Sequence, residues 1–204
     1  IEDPEPKLGY AVTGLVDPAK VWRNNTLRPG GRLLLTKPIG TGLVNMALRA
    51  GCASQEAQEA AQASMATLNG RAAKILSRFH VQACTDVTGF GLAGHAAEMA
   101  SGEECGLTIR FEAVPLLPDA EEYAAMGLVP EGTYRNREGR GRFITGTPTP
   151  LILDLLFDPQ TSGGLLAALP AEEAEGAREA LAQAGIDAHI IGETGGAPGQ
   201  VRIL

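Results

Sequence analysis

The chain has 204 residues, of which 44% are hydrophobic and only 4% aromatic, and its formal net charge is −7. This length suits one full domain with part of another, and the acidic balance argues against a nucleic-acid partner, which would need clustered cations. The three cysteines have no framework spacing, which argues against a disulfide scaffold and favours a cytoplasmic location. The sequence has no apolar run of about 18 residues, which argues against a membrane span.

The first half of the chain alternates between strand and helix patterns. Residues 8–16 (LGYAVTGLV) are apolar and β-branched, which predicts a strand that Asp17 and Pro18 end. Beyond it the patterns predict, in order, a strand over 32–36, helices over 41–50, 55–68 and 71–79, a strand over 81–87, a helix over 92–100, a strand over 107–113 and a helix over 119–126.

The second half begins with a stretch that has no clear period. Residues 130–150 are rich in Gly, Pro, Thr and Arg, and we expect them to be irregular, with the basic residues 135–142 in a solvated loop. Residues 151–157 are ambiguous between helix and strand. The remaining elements are a strand over 165–169, a helix over 171–184 and strands over 188–191 and 201–204. This alternation predicts an α/β or α+β fold in which helices cover a sheet.

The segment 83–95 (ACTDVTGFGLAGH) has the pattern of a nucleotide site. A predicted strand ends at Asp86, and a turn containing Thr88, Gly89 and Gly91 leads into a predicted helix. The free backbone N–H groups of a helix start attract phosphate, and a carboxylate beside them can hold Mg²⁺. The alternative is structural: Asp86 caps a turn, and the glycines only supply positive φ angles.

A dinucleotide-binding oxidoreductase domain is a rival interpretation of the same segment. Gly89, Gly91 and Gly94 satisfy GxGxxG, and Glu112 lies where a ribose-binding acid would be expected. Polar residues precede the first glycine, however, and the upstream run 55–79 is helical, which is not typical of that motif.

A second glycine cluster occupies residues 156–166 (LFDPQTSGGLL). Asp158 and Pro159 favour a turn, and Thr161 and Ser162 can cap the element that follows. From the residues alone this cluster is a tight turn between packed elements.

The cysteine and the two histidines that could be reactive have structural interpretations. Cys84 alternates within an apolar strand and is expected to pack rather than to act as a nucleophile. We expect His95 to cap or pack within its helix and His189 to be structural, and the scattered histidines do not support a zinc site.

The two glycine segments resemble the carboxy-terminal half of the selenophosphate synthetase (selenide, water dikinase) family, within the aminoimidazole ribonucleotide synthetase superfamily. Residues 3–16, 35–42 and 127–136 resemble the same family in the same order. The resemblance implies a three-layer α/β domain that closes an ATP cleft. It also implies ATP, selenide and water as substrates and selenophosphate, AMP and phosphate as products. Mg²⁺ held by Asp86 and a homodimeric full-length protein are further implications.

The resemblance also divides the chain. Residues 1–16 would be the last strand of a truncated amino-terminal ATP-binding domain, and residues 17–204 the carboxy-terminal domain. The catalytic Cys/Lys pair of the family would lie in the missing half, so we expect no catalytic residue here and no activity from the fragment alone. A silent binding or assembly module of the same fold is the second hypothesis.

Overall fold

The computed structural model describes residue 11 and residues 13–204. The predicted strand over 8–16 and the predicted domain remnant over 1–16 lie mostly outside the described residues, and the described positions 13–16 are exposed and form no strand. No helix within the described part of the chain is long and apolar enough to cross a bilayer.

The described residues form seven strands and eight α-helices. The strands are β1 (Gly31–Leu35), β2 (Ala83–Asp86), β3 (Leu107–Ile109), β4 (Ile144–Gly146), β5 (Leu165–Pro170), β6 (His189–Thr194) and β7 (Val201–Ile203). The helices are α1 (Thr41–Arg49), α2 (Gln55–Ala66), α3 (Gly70–Leu76), α4 (Gly91–Met99), α5 (Ala120–Ala125), α6 (Glu131–Arg140), α7 (Pro150–Leu156) and α8 (Ala171–Gln183).

The strands make one mixed sheet in the order β2-β5-β1-β6-β3-β7-β4. The pairs at the β2 end are antiparallel, whereas β7 runs parallel to both β3 and β4. A register shift between Leu33 and Leu34 marks a bulge against β6.

Helices cover both faces of this sheet, as strand alternation requires. Leu33 and Leu35 of β1 face a core that contains residues of α4 and α7. Leu34 faces the opposite way, into a core with residues of α3 and α8. The predicted three-layer α/β domain is therefore confirmed.

The prediction that residues 130–150 are irregular was wrong. The structure places α6 and β4 there, and α7 begins at the end of the same stretch. The basic run 135–142 is not a solvated loop, because Arg137 is hydrogen-bonded to Asp154 (2.5 Å) and Arg140 to Glu98 (3.0 Å). The ambiguous residues 151–157 are helical, since Pro150 begins α7 and Thr149 caps it.

The sheet order argues against the dinucleotide fold. That fold would place β2 and β3 side by side and parallel, joined by α4. Here β5, β1 and β6 lie between them. The predicted strand over 107–113 also stops at Ile109, and a 3₁₀ turn over Phe111–Ala113 contains Glu112.

Candidate functional site

Strand register brings the two glycine-rich segments together. Strands β2 and β5 are antiparallel neighbours, and Asp86 at the end of β2 lies opposite Leu165 at the start of β5. The pairing continues into the turns, where the Val87 N–H donates to the Gly164 carbonyl at 2.8 Å. Residues 83–95 and 156–166 therefore form one site at one end of the sheet.

The turn before α4 leaves backbone donors free. Gly91 has φ of +72°, and its N–H closes the turn by donating to the Thr88 carbonyl at 3.0 Å. Among the described residues, the N–H groups of Thr88, Gly89 and Phe90 have no hydrogen-bond acceptor. Three successive free donors at the positive end of a helix favour an anion such as phosphate.

Asp86 stands beside these donors with its carboxylate open. Its side chain is exposed, and it has no ion-pair or hydrogen-bond partner among the described residues. Free carboxylate oxygens are ligands that Mg²⁺ prefers, so Asp86 fits the role of one metal ligand. No group of three or more potential metal ligands forms within the described part of the chain.

The Thr88 hydroxyl is bonded within the protein. It lies 3.1 Å from Nε2 of His95, whose Nδ1 lies 3.1 Å from the Glu98 carboxylate. Burial lowers the pKa of His95, although Glu98 opposes that shift, and the ring is therefore neutral near pH 7. In this state Nδ1 donates to Glu98, and Nε2 accepts the Thr88 proton, which leaves the Thr88 backbone N–H as its free donor.

The two predicted nucleotide glycines have different surroundings. Gly89 is exposed, and a Cβ there would meet no atom within 4 Å. Gly91 is buried, and a Cβ there would lie 2.6 Å from the carbonyl carbon of Phe157. Gly89 can therefore face a ligand, whereas Gly91 lets α4 pack closely against the end of α7.

The second glycine segment caps α1 rather than the strand that follows it. The Gln160 side-chain oxygen accepts from the N–H groups of Gly40 (3.0 Å) and Thr41 (3.2 Å). An Asp158 oxygen accepts from the Gly42 N–H at 3.0 Å. The expected caps Thr161 and Ser162 do not have this role: the Thr161 N–H donates to the Thr41 hydroxyl at 2.9 Å.

Asp158 is fully buried at this junction. Burial raises its pKa to about 7, against the opposing effect of hydrogen bonds from Gln160 and Gly42. Its second oxygen has no partner among the described residues.

Two residues that the sequence patterns did not single out hold the site together. Lys37 is buried, and its ammonium donates to the carbonyls of Ser64 (2.9 Å), Thr67 (2.6 Å) and Ser162 (2.7 Å), which fixes the end of α2 to the second glycine segment. Desolvation lowers the pKa of this lysine. Asn136 of α6 bonds to both glycine segments.

Cys84 has no nucleophilic character. It lies in β2 against the α3 and α8 core. Burial, with a smaller contribution from Asp86, raises its pKa to about 12, which keeps the thiol protonated. The packing role expected from the sequence agrees with this position.

The chain is similar to known proteins over nearly its whole length. Residues 28–204 match the family described as AIR synthase related protein, C-terminal domain. A selenide, water dikinase from Pelobacter propionicus is 45% identical over 196 residues, which cover 95% of this chain and 56% of that protein. Another from Caldanaerobacter subterraneus subsp. tengcongensis is 47% identical over 178 residues, which cover 86% and 51% respectively. The chain thus spans about half the length of the curated relatives it matches.

Solved structures show the same fold at low sequence identity. The hydrogenase maturation protein HypE in complex with ATP has a TM-score of 0.63 and 23% identity, covering 93% of this chain and 51% of that one. Thiamine-monophosphate kinase from Stenotrophomonas maltophilia has a TM-score of 0.62 and 14% identity, covering 92% and 54%. Half of each neighbour therefore folds like this chain.

Proposed function

Because the chain belongs to the family of AIR synthase related proteins and matches their C-terminal domain, we propose that it is the C-terminal domain of a selenide, water dikinase. The whole protein would use ATP, selenide and water to make selenophosphate, with AMP and phosphate as the other products. Relatives of that name that are 45% and 47% identical support this choice within the family. One observation in the fold carries it: an open Asp86 carboxylate lies beside the free N–H groups of residues 88–90.

The site would act on the phosphates of ATP. The free N–H groups of Thr88, Gly89 and Phe90, with the positive end of α4, would bind and orient phosphate oxygens. Asp86 would hold Mg²⁺ with ligands from the rest of the protein, and the ion would neutralise charge on the transferring phosphoryl group. Gly91 and the Thr88 hydroxyl would keep the turn in shape rather than contact the nucleotide.

The remaining chemistry would belong to the other half of the protein. The resemblance assigns the catalytic Cys/Lys pair and the further metal ligands to the amino-terminal half, so this chain would supply no catalytic residue. A homodimer of the whole protein and a cytoplasmic location are part of the same proposal. The division of the chain into residues 1–16 and 17–204 also stays a proposal.

The test of this function is Asp86→Asn in the whole protein. Asparagine keeps the shape and one oxygen of aspartate but removes the charge. The substitution would therefore weaken binding of Mg²⁺, whereas it would preserve a turn cap. We expect AMP formation to fall about a hundredfold or more, the scale of lost electrostatic stabilisation. Thermal stability without nucleotide should change by less than about 0.5 kcal/mol, because the exposed Asp86 side chain has no hydrogen-bond or ion-pair partner among the described residues.

The control removes a carboxylate charge elsewhere. Glu104 lies at the opposite end of the sheet from Asp86. It precedes β3, whose Leu107 pairs with Thr194 at the end of β6. Asp86 lies at the end of the sheet where β6 begins. Glu104 forms an exposed ion pair with Arg28 at 2.5 Å, so Glu104→Gln should leave AMP formation within about twofold of wild type. Partial rescue of Asp86→Asn at high Mg²⁺ would fit weakened coordination. Near-normal activity of Asp86→Asn at low and high Mg²⁺ alike would refute the metal role.

The silent-module hypothesis gives a different result in the same assay. A binding or assembly module would leave the wild-type whole protein without selenide-dependent AMP release. That outcome would reject the dikinase proposal before any variant is compared.

A further inference from the structure

Helix α6 presents one polar face to both glycine-rich segments. Gly132, Asn136 and Arg140 are spaced by four residues and so lie on the same side of the helix. Gly132 lies against Pro159, where a Cβ would come within 2.9 Å of the proline ring. Four residues on, Asn136 reaches the junction of the two segments, and Arg140 reaches α4.

The Asn136 side chain uses both of its amide hydrogens at that junction. Its Nδ2 donates to the carbonyl of Gly89 at 2.8 Å and to the carbonyl of Phe157 at 3.1 Å. The residue is only 8% exposed, so water does not compete freely for either bond. A single buried group thus links the glycine turn to the end of α7.

Holding a carbonyl also sets the direction of the next N–H. The peptide unit is planar and trans, so its N–H points opposite to its C=O. Asn136 holds the Gly89 carbonyl and thereby orients the N–H of Phe90. In the preceding unit, Gly91 and Gln160 both donate to the Thr88 carbonyl at 3.0 Å, which orients the N–H of Gly89. Both N–H groups are among the free donors of the turn.

A second connection runs from α6 to the same turn. The Arg140 guanidinium donates to Glu98 at 3.0 Å and lies 3.6 Å from the centre of the Phe90 ring. Glu98 bonds to His95, which bonds to the Thr88 hydroxyl. Helix α6 therefore restrains the turn through two residues: Asn136 binds the Gly89 carbonyl, and Arg140 contacts Glu98 and the Phe90 ring.

We propose that Asn136 is a positioning residue, which fixes the 88–91 turn so that its free N–H groups face the phosphates of the nucleotide. That the ligand is a nucleotide rests on the proposed function, whereas the restraint of the turn by Asn136 does not. Asn136 itself has no reason to touch the substrate, since both of its donors are bonded within the protein.

Asn136→Asp in the whole protein tests this role. The new carboxylate is nearly isosteric but cannot donate, and it sets a charge against two carbonyl oxygens. Once protonated it can donate one of the two bonds, and burial raises the pKa of such a carboxyl group. We expect kcat/KM for ATP to fall about tenfold to a hundredfold at pH 8.5, and the ratio to wild type to recover in part at pH 6.

Two further variants separate positioning from general damage to the helix. Asn136→Ala removes the donor without adding charge, so its loss of kcat/KM should not change with pH relative to wild type. Thr133→Val alters a fully buried side chain of the same helix, whose hydroxyl has no partner among the described residues. It should stay within about twofold of wild type at every pH, because no hydrogen bond is lost.

Amide hydrogen exchange gives a readout that needs no activity. Loosening the turn should speed exchange at Gly91 and Gln160, whose N–H groups bond to the Thr88 carbonyl, in both Asn136 variants but not in Thr133→Val or Asp86→Asn. If wild type lacks dikinase activity, the proposed function fails, and exchange still decides the restraint. Unchanged exchange in the Asn136 variants, or an Asn136→Asp ratio that is flat with pH, would overturn the proposal.

Discussion

Gly89 and Gly91 are two residues apart and have different structural roles. Gly91 adopts a left-handed conformation, with φ of +72°, against the backbone of Phe157, so a side chain there meets both strain and a clash. Gly89 has neither constraint and is exposed. The pattern GxG thus combines a glycine required by packing with one that leaves room for a ligand.

Alanine at each position should separate these roles. We expect Gly91→Ala to destabilise the fold by about 2–4 kcal/mol, because the close packing of α4 against α7 cannot accept a methyl group. Gly89→Ala should change stability by less than about 0.5 kcal/mol but raise the KM for ATP, since its methyl group lies where phosphate would approach. Thermal unfolding and steady-state kinetics measure the two effects. Equal losses of stability in both variants would contradict the distinction.

At the scale of elements, the buried carboxyl group of Asp158 links α7, the second glycine segment and the start of α1. The pKa of Asp158 is raised from 3.8 to about 7 by burial. Between these values the folded protein keeps the proton that the unfolded chain has lost. The contribution of Asp158 to stability is therefore full below about pH 4 and is lost as the pH rises to about 7, a change of roughly 4 kcal/mol at most.

Asp158→Asn should remove this pH dependence. Asparagine can still accept from Gly42 but never carries a charge, so its stability relative to wild type should rise between pH 4 and 7 and then level off. Urea unfolding of both proteins from pH 4 to pH 8 measures the difference. As a control, Glu104→Gln changes an exposed carboxylate, and its free energy of unfolding should vary with pH in the same way as that of wild type. A constant difference between Asp158→Asn and wild type across this range would show that Asp158 does not titrate there.

Helix α6 shows which elements a sequence pattern can predict. Most other helices were predicted within a few residues, because their buried positions are mostly Ala, Leu, Ile or Val at helical spacing. The buried or half-buried face of α6 consists of polar and glycine residues, and its one aromatic residue, Tyr134, is exposed. Hydrophobic periodicity therefore does not predict this helix. The helix forms because Asn136, Arg137 and Arg140 make hydrogen bonds to residues distant in sequence.

The candidate site was predictable only in part for a similar reason. Asp86 and the glycine turn form a local pattern of strand, turn and helix, which chain order alone reveals. The contribution of Lys37, Gln160 and Asn136 depends on which strands become neighbours. That choice is made by the whole sheet: β2 pairs with β5, which follows it by about eighty residues, rather than with β3.

At the scale of the whole molecule, the site on this chain is an open surface. Asp86 and Gly89 are exposed, and the Phe90 side chain beside them is 41% exposed. Hydrogen bonds and charges stabilise a transferring phosphoryl group far better where water is excluded. The relatives that the chain matches are about twice as long. In the function we propose, the additional half would cover this surface and supply the other metal ligands.

The 204-residue chain alone should therefore be inactive even where it is folded. With ATP, selenide and Mg²⁺ we expect no AMP above the blank without protein, because hydrated phosphates at an open site gain little from three N–H donors and one carboxylate. The whole protein, assayed beside it, should release AMP in a selenide-dependent reaction. Circular dichroism must show that the chain is folded, and the preparation must be free of full-length enzyme. AMP release by such a preparation would mean that residues 1–204 hold a complete active site, and the division of labour between the two halves would have to be abandoned.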